Sequence, residues 1–140
     1  MTLRLPTAEV TVLLGEPIVR RRLMAMCDDA SAGVRRITAD PSSGVLERRR
    51  RLEEAGGAAV LLVDRVTDGL DATGRRVVLG ALAGLAARGA AVLVDDDDSV
   101  AALAVADATL RADPARGLVV EPTVGTAGSV APLEELYRAS

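Results

Sequence analysis

An apolar run that ends in an acid constrains the fold of this 140-residue chain more than any other stretch. Residues Ala58 to Val63 are all aliphatic, and Asp64 follows them directly. A polar turn comes next, and Ala72 to Arg88 then shows the apolar spacing of a helix. This pattern predicts a buried strand that delivers a carboxylate to the carboxyl edge of a sheet. In an open α/β sheet, that edge is where ligands bind.

The rest of the chain alternates between short aliphatic runs and helical patterns. Strands are predicted at 10–14, 33–38, 58–63, 90–94, 108–110 and 118–121, and helices at 18–28, 45–55, 72–88, 99–106 and 132–139. The second strand is expected at an edge because two arginines interrupt it. Since strands separated by helices pair in parallel through right-handed crossovers, the predicted fold is α/β: a three-layer, mainly parallel sheet in one domain, residues 1–140.

Several kinds of site are excluded by the residue types that the chain lacks. It has no Lys, His, Asn or Gln, and its 17 basic residues are all Arg. Without His, and with Cys27 as the one cysteine, a zinc site and an internal disulfide are not expected. The net charge of −3 argues against a nucleic-acid partner. No apolar run reaches the roughly 20 residues of a membrane-spanning helix, so a soluble cytoplasmic protein is expected.

The stretch from Leu61 to Asp71 resembles the Walker B strand and D-loop of ABC-type ATPases, whose pattern is LLLDEPTSGLD. The identical positions are Leu61, Leu62, Asp64, Thr67, Gly69, Leu70 and Asp71. Weaker similarity continues in the same order along the chain: 10–15 resembles the strand entering a Walker A loop, and 85–94 the strand before the H-loop. The resemblance implies a P-loop NTPase fold, truncated to an ABC ATPase core without the family's helical subdomain.

The segment of this chain that corresponds to the family's phosphate-binding loop is altered. A P-loop needs glycines whose N–H groups surround the phosphates, and a Lys that reaches them. Here Gly15 is followed by Glu16, which is negatively charged, and by Pro17, which lacks an N–H. Arg20 begins a three-arginine cluster that either binds an anion or forms a solvated helix face. We expect no cofactor, with ATP or Mg²⁺ retained only through Gly15, Arg20 and Asp64.

The residues that the family uses for hydrolysis are also replaced. Arg65 stands where the resemblance puts the catalytic Glu, and Asp97 stands where it puts the H-loop His. The Q-loop Gln has no counterpart in a chain without Gln. We therefore predict a pseudo-ATPase with no catalytic residues.

A second group of acids follows another fully aliphatic strand. If that strand lies beside the first, as the resemblance implies, Asp64 and Asp95 to Asp98 meet at one sheet edge. Clustered carboxylates suit Mg²⁺ or Ca²⁺, so the candidate metal ligands are Asp64, Asp95, Asp96 and Asp97. The alternative is a solvated acidic loop whose last member, Asp98, caps the following helix.

The run Arg48 to Arg51 covers almost a full helical turn, so its members cannot all face the core. It forms either a solvated, acid-paired face or a docking surface for an acidic partner.

The function that these features favour is binding rather than catalysis. Asp68, Gly69, Leu70 and Asp71 match a subunit-contact element of the family, so we predict that they contact a protein partner, a second copy of the chain or a membrane protein. Two alternatives stay open. One is a metal-dependent enzyme that uses the carboxylate edge on a phosphorylated substrate, and the other is a nucleotide-binding sensor without turnover.

Overall fold

The computed structural model describes residues 4–27, 29–113 and 117–121, the last range by its backbone. Its elements in chain order are β1 (Val10–Leu14), α1 (Pro17–Met26), β2 (Val34–Thr38), α2 (Val45–Glu54), β3 (Val60–Asp64), α3 (Ala72–Ala87), β4 (Ala91–Asp95), α4 (Ser99–Leu103), β5 (Ala108–Asp113) and β6 (Gly117–Glu121). Each element predicted within these residues is present. The predicted terminal helix at 132–139 lies outside them.

The ends of some elements differ from the prediction for local reasons. β3 begins later than predicted because the N–H of Ala58 donates to the carbonyl oxygen of Ala55 and closes the turn after α2. α4 is shorter because Val105 and Ala106 continue it only through tighter bonds to residues three positions earlier. β5 is longer than predicted because it pairs over its whole length with β6.

One six-stranded sheet organises the fold, with the order β2-β3-β4-β1-β5-β6. The first five strands of the chain are parallel, and β6 is antiparallel to β5. β5 and β6 are antiparallel because too few residues join them to form the crossover connection that parallel strands need. The predicted three-layer, mainly parallel α/β sheet is confirmed, and β2 is the edge strand that its arginines indicated.

Helices cover both faces of the sheet. Successive side chains of a strand point to opposite faces. On one face, Leu13, Leu62 and Leu93 pack against Leu23 and Met24 of α1. On the other face, the strand valines pack against α2, α3 and α4, in a cluster that includes Val12, Val63, Val94, Leu52, Leu82 and Ala102. β4 is buried along its whole length because both of its faces are covered.

The strand order creates a crevice between β1 and β4. From β1 the chain crosses through α1 to the far edge at β2, and it then returns one strand at a time to β4. From β4 it passes β1 and reaches β5. Because the connections after β1 and β4 run in opposite directions, their helices leave on opposite faces, and a crevice opens at the carboxyl ends of these two strands. Among the described helices, none is long and apolar enough to span a membrane.

Candidate functional site

The connection from β1 to α1 consists of Gly15 and Glu16 alone. Gly15 has a φ of +121°, and a Cβ on it would lie 2.5 Å from the carbonyl oxygen of Ala112. Glycine is therefore required at this position. Pro17 starts α1 at its first turn, where its missing N–H costs least. A glycine-rich phosphate-binding loop needs several more residues between strand and helix than these two.

Arg20 fills the crevice between β1 and β4. The residue is 5% exposed. Its Nε donates to the carbonyl oxygen of Gly15 at 2.9 Å, and its Nη1 donates to the Asp95 carboxylate and to the Asp96 carbonyl oxygen, the latter at 3.0 Å. Its Nη2 donates to Asp97 Oδ1 at 2.9 Å. The interpretation of Arg20 as part of a solvated helix face is wrong, because its position on α1 points it at the sheet edge.

The other two arginines of this cluster stay at the surface. Arg21 donates to Asp97 Oδ2 at 3.2 Å, and Arg22 is exposed. Burial alone would raise the pKa of Asp97. The hydrogen bonds and charges of Arg20 and Arg21 outweigh that effect and hold the pKa of Asp97 below its ordinary value.

Asp64 and Asp95 meet at the sheet edge, as the family resemblance implied, and they are register partners on β3 and β4. Arg65 Nε donates to Asp64 Oδ1 at 3.2 Å, and Arg36 Nη1 donates to Asp64 Oδ2 at 3.4 Å. Asp95 is 0% exposed, and its Oδ2 has no hydrogen-bond partner within the described parts of the chain. Burial raises the pKa of Asp95, although the charge of Arg20 opposes that rise.

Asp96 is buried; its carboxylate accepts hydrogen bonds from two neutral donors and lies 4.0 Å from Arg75 Nη1. Thr67 Oγ1 donates to Asp96 Oδ2 at 2.6 Å, and the N–H of Asp98 donates to Asp96 Oδ1 at 2.9 Å. Burial raises the pKa of Asp96, and the Thr67 hydrogen bond opposes that rise. Asp98 accepts from the N–H of Ala101 at 3.0 Å and so caps α4, as predicted. The acidic segment is therefore only partly a solvated loop.

The candidate metal ligands Asp64, Asp95, Asp96 and Asp97 are engaged by other side chains and by a backbone N–H group, and Asp95 and Asp97 share Arg20. Three of them accept from arginines, and Asp96 accepts from a hydroxyl and an amide. Across 4–27 and 29–113, no group of three acidic or cysteine side chains has the arrangement that a metal ion needs. Metal binding at this edge stays a prediction.

Residues 65–71, here called the contact turn, accept hydrogen bonds from arginines of α2 and α3. Arg48 is 2% exposed, and its Nη1 donates to the carbonyl oxygens of Val66, at 3.1 Å, and Asp68. Arg75 Nε donates to the Leu70 carbonyl oxygen at 3.0 Å. Because neighbouring arginines point in different directions around a helix, only one of Arg48 to Arg51 is buried here.

The remaining arginines of α2 are paired at the surface. Arg49 donates to Glu53, and Arg50 donates to Glu47 and Glu54. Arg51 donates to the carbonyl oxygen of Thr38 at 3.0 Å. The acid-paired face that the sequence left open therefore describes Arg49 and Arg50, but not Arg48.

The predicted interface residues Asp68, Gly69, Leu70 and Asp71 all lie in the contact turn. Gly69 and Asp71 are exposed, whereas Asp68 and Leu70 are half-buried. Asp71 also caps α3, since its Oδ1 accepts from the N–H of Gly74 at 2.8 Å. Leu70 of the turn and Val45 of α2 both pack on the core, and the next residue of α2, Leu46, is 77% exposed.

The sequence did not reveal Arg36 as a member of this site. Its guanidinium joins Asp64 to the end of α1, because Nη2 donates to the carbonyl oxygens of Met24, at 3.0 Å, and Cys27, at 2.8 Å. Nε also donates to Asp29 at 3.2 Å. The available signal was its place on an edge strand, two residues from the position that pairs with Asp64.

Cys27 directly follows α1 and is half-buried against the core on that face. Burial raises the pKa of its thiol, and the charge of Arg36 only partly opposes this. A thiol with a raised pKa is protonated at neutral pH and is a poor nucleophile.

No protein-family model and no curated protein matches this chain. The structure is similar to that of the ATP-binding subunit of an ABC transporter, with a TM-score of 0.51 and 13% identity over 76% of this chain and 75% of that one. It is also similar to a chain in the complex of the archaeal ribosomal stalk protein aP1 with the archaeal ribosome recycling factor aABCE1, with a TM-score of 0.52, 15% identity and coverage of 83% of this chain and 34% of that one. These similarities show that the chain has the α/β fold of ABC ATPase domains.

Proposed function

We propose that this chain is a pseudo-ATPase that has lost ATP hydrolysis and acts through protein contacts. The observation that carries the proposal is the position of Arg20, whose guanidinium and acceptors fill the crevice where folds of this kind bind ligands. The crevice wall consists of carboxylates and carbonyl oxygens, which repel a triphosphate. The two-residue turn before α1 leaves few N–H groups to offset that repulsion.

Arg65, the residue after Asp64, supports the proposed loss of hydrolysis. Arg65 donates to Asp64, and that hydrogen bond raises the pKa of Arg65 above its ordinary value. A guanidinium that is always protonated cannot accept a proton from water, so it cannot serve as a general base.

The contact turn supplies the proposed binding surface. It is exposed at Gly69 and Asp71, and Arg48 of α2 donates hydrogen bonds to its backbone; the same helix carries the exposed Leu46. A backbone that is already held by hydrogen bonds loses less conformational entropy on binding than a free loop does. One structure of the same fold is a complex that contains a ribosomal stalk protein. The proposed partner here is likewise a protein, or a second copy of this chain, in the cytoplasm.

Titration with nucleotide and metal tests the lost ATPase function. We expect no change in Tm and no heat in calorimetry with millimolar ATP–Mg²⁺, and phosphate release no faster than a buffer blank. Mg²⁺ alone and Ca²⁺ alone serve as controls, and they also test the alternative metal-dependent enzyme. Saturable binding of ATP without phosphate release would support the sensor alternative, and release well above the blank would overturn the proposal.

Light scattering during size-exclusion chromatography tests self-association through the contact turn. If the partner is a second copy, the mass rises with concentration, and Leu46→Asp returns it to that of a monomer. Leu103→Asp on α4 is the matched control, since Leu103 is also an exposed leucine but lies on another helix. A monomer at every concentration would leave a different protein as the partner. An equal effect of both variants would remove the contact turn as the surface.

A further inference from the structure

Hydrogen bonds connect the crevice to the contact turn. Arg20 Nη1 donates to the carbonyl oxygen of Asp96 at 3.0 Å, and the carboxylate of the same residue accepts from Thr67 Oγ1 at 2.6 Å. Thr67 lies in the middle of the contact turn and is fully buried. A single residue, Asp96, therefore contacts Arg20 in the crevice through its backbone and Thr67 in the contact turn through its side chain.

We propose that the crevice is a guanidinium-binding site whose ligand is the chain's own Arg20, and that its occupancy holds the contact turn in its binding conformation. The role of the turn in binding rests on the proposed function. The occupancy of the crevice and its coupling to the turn are properties of the isolated chain.

The arrangement of acceptors identifies the class of ligand. Gly15 and Asp96 contribute carbonyl oxygens, and Asp95 and Asp97 contribute carboxylate oxygens, so the acceptors surround all three guanidinium nitrogens. A planar guanidinium offers five N–H donors in a fixed fork that satisfies such a set. An ammonium group of the same charge donates from a single nitrogen and cannot reach acceptors on both sides of the crevice.

Removal of the cation is expected to disturb the contact turn and not only the crevice. Asp95 is fully buried, so without Arg20 its charge has no compensation, and we expect the start of the β4–α4 loop to shift toward water. Asp96 is the next residue, and a shift of its carboxylate weakens the bond from Thr67. The bonds from Arg48 to the turn do not depend on the crevice, so the turn loosens without unfolding.

Amide hydrogen exchange tests the coupling in the 140-residue chain. Thr67→Val removes the hydroxyl that joins the turn to Asp96 and keeps the size of the side chain. We expect the amides of Asp68 and Leu70 to exchange roughly three- to tenfold faster, the range for loss of one hydrogen bond, while those of β4 keep their rates. Thr11→Val is the matched control, because Thr11 is also buried but its hydroxyl has no partner in the described residues.

Replacement of the guanidinium tests the class of ligand. Arg20→Lys keeps the charge, and we expect it to produce the same faster exchange at Asp68 and Leu70. Arg20→Ala opens the site, and millimolar propylguanidinium is expected to raise its Tm and slow the exchange at these two amides. Propylammonium at the same ionic strength is expected to do neither.

Equal rescue by both cations would overturn the assignment to guanidinium, and wild-type exchange in both Thr67→Val and Arg20→Lys would overturn the coupling. If Arg20→Ala does not fold, the Thr67→Val and Arg20→Lys measurements still decide the coupling. All of these measurements use the isolated chain, so a failed partner or nucleotide experiment leaves their outcome unchanged. Conversely, wild-type exchange in the variants leaves the proposed pseudo-ATPase function standing.

Discussion

Asp64 and Asp95 lie side by side at the ends of two parallel strands, yet each is neutralised from a different direction. Asp64 accepts from Arg36 of the edge strand and from Arg65 of the contact turn, whereas Asp95 accepts from Arg20 of α1. Burial raises the pKa of Asp95, and the adjacent charge of Asp64 adds to that rise, while the charge of Arg20 opposes it. The edge that resembles a ligand site in the sequence is therefore crossed by ion pairs whose arginines come from β2, the contact turn and α1.

The buried ion pair of Arg20 predicts a large loss of stability when it is broken. Arg20→Met leaves the fully buried Asp95 without a cation, and we expect the free energy of unfolding to fall by about 3–5 kcal/mol. Urea unfolding measures the change. Arg21→Met is the control on the same helix, and since Arg21 pairs at the surface its loss should cost less than about 1 kcal/mol. Similar losses in the two variants would contradict the buried role of Arg20.

The raised pKa values of Asp95 and Asp96 predict an unusual dependence of stability on pH. Because burial raises both values above 3.8, the folded protein binds these protons more tightly than the unfolded chain does. The free energy of unfolding should therefore decrease as the pH rises from 3.8 through the folded pKa values, and then level off. Below pH 3.8 the free energy of unfolding should instead fall as the pH falls, because Asp97, whose pKa is lowered in the folded state, loses its charge.

Urea unfolding between about pH 4 and pH 7 checks this slope. The chain has no His, so few other side chains titrate near neutral pH. Asp95→Asn and Asp96→Asn should each flatten the dependence. A wild-type stability that rises with pH across this window would show that the two acids are not protonated preferentially in the folded state.

Arg48 is predicted to stabilise the contact turn through backbone carbonyl oxygens. Arg48→Met removes the donor to Val66 and Asp68, and each carbonyl oxygen that stays buried without a donor costs about 1–3 kcal/mol. Chemical denaturation gives the total, and amide exchange at Leu70 reports the turn itself. Arg49→Met on the exposed side of α2 should change stability by no more than about 0.5 kcal/mol. If both variants behave alike, Arg48 has no special role.

The turn between β1 and α1 predicts opposite effects for two glycine substitutions. Gly15→Ala places a methyl group 2.5 Å from the Ala112 carbonyl oxygen, at a φ of +121°, so a loss of at least about 1 kcal/mol is expected. Gly80→Ala lies inside α3, with no described atom within 4 Å of the added methyl group, and should raise stability by about 0.5–1 kcal/mol. Thermal and urea unfolding should show changes of opposite sign, and a stable Gly15→Ala protein would contradict the close packing of this turn.

The sequence alone determined the helices and strands and the polar residues at their ends. Aliphatic runs indicated the strands, because a buried parallel strand leaves few positions for polar residues. The acid at the end of β3 and the caps at Asp71 and Asp98 were predictable because strand ends and helix starts depend on neighbouring residues. The predicted adjacency of Asp64 and Asp95 depended on a family resemblance, and the sheet confirms it.

Only the tertiary structure decided which arginines are buried. Arg20 and Arg21, like Arg48 and Arg49, are identical neighbours in the sequence, and a step of about 100° around a helix separates them. Which of two such side chains faces the sheet depends on how the whole helix packs. The acceptors of Arg20 at 95–97 are about 75 residues away and reach it only because the strand order brings β4 beside β1. Long-range pairing of this kind leaves no local pattern in the sequence, so only the folded chain shows that Arg20 fills the crevice.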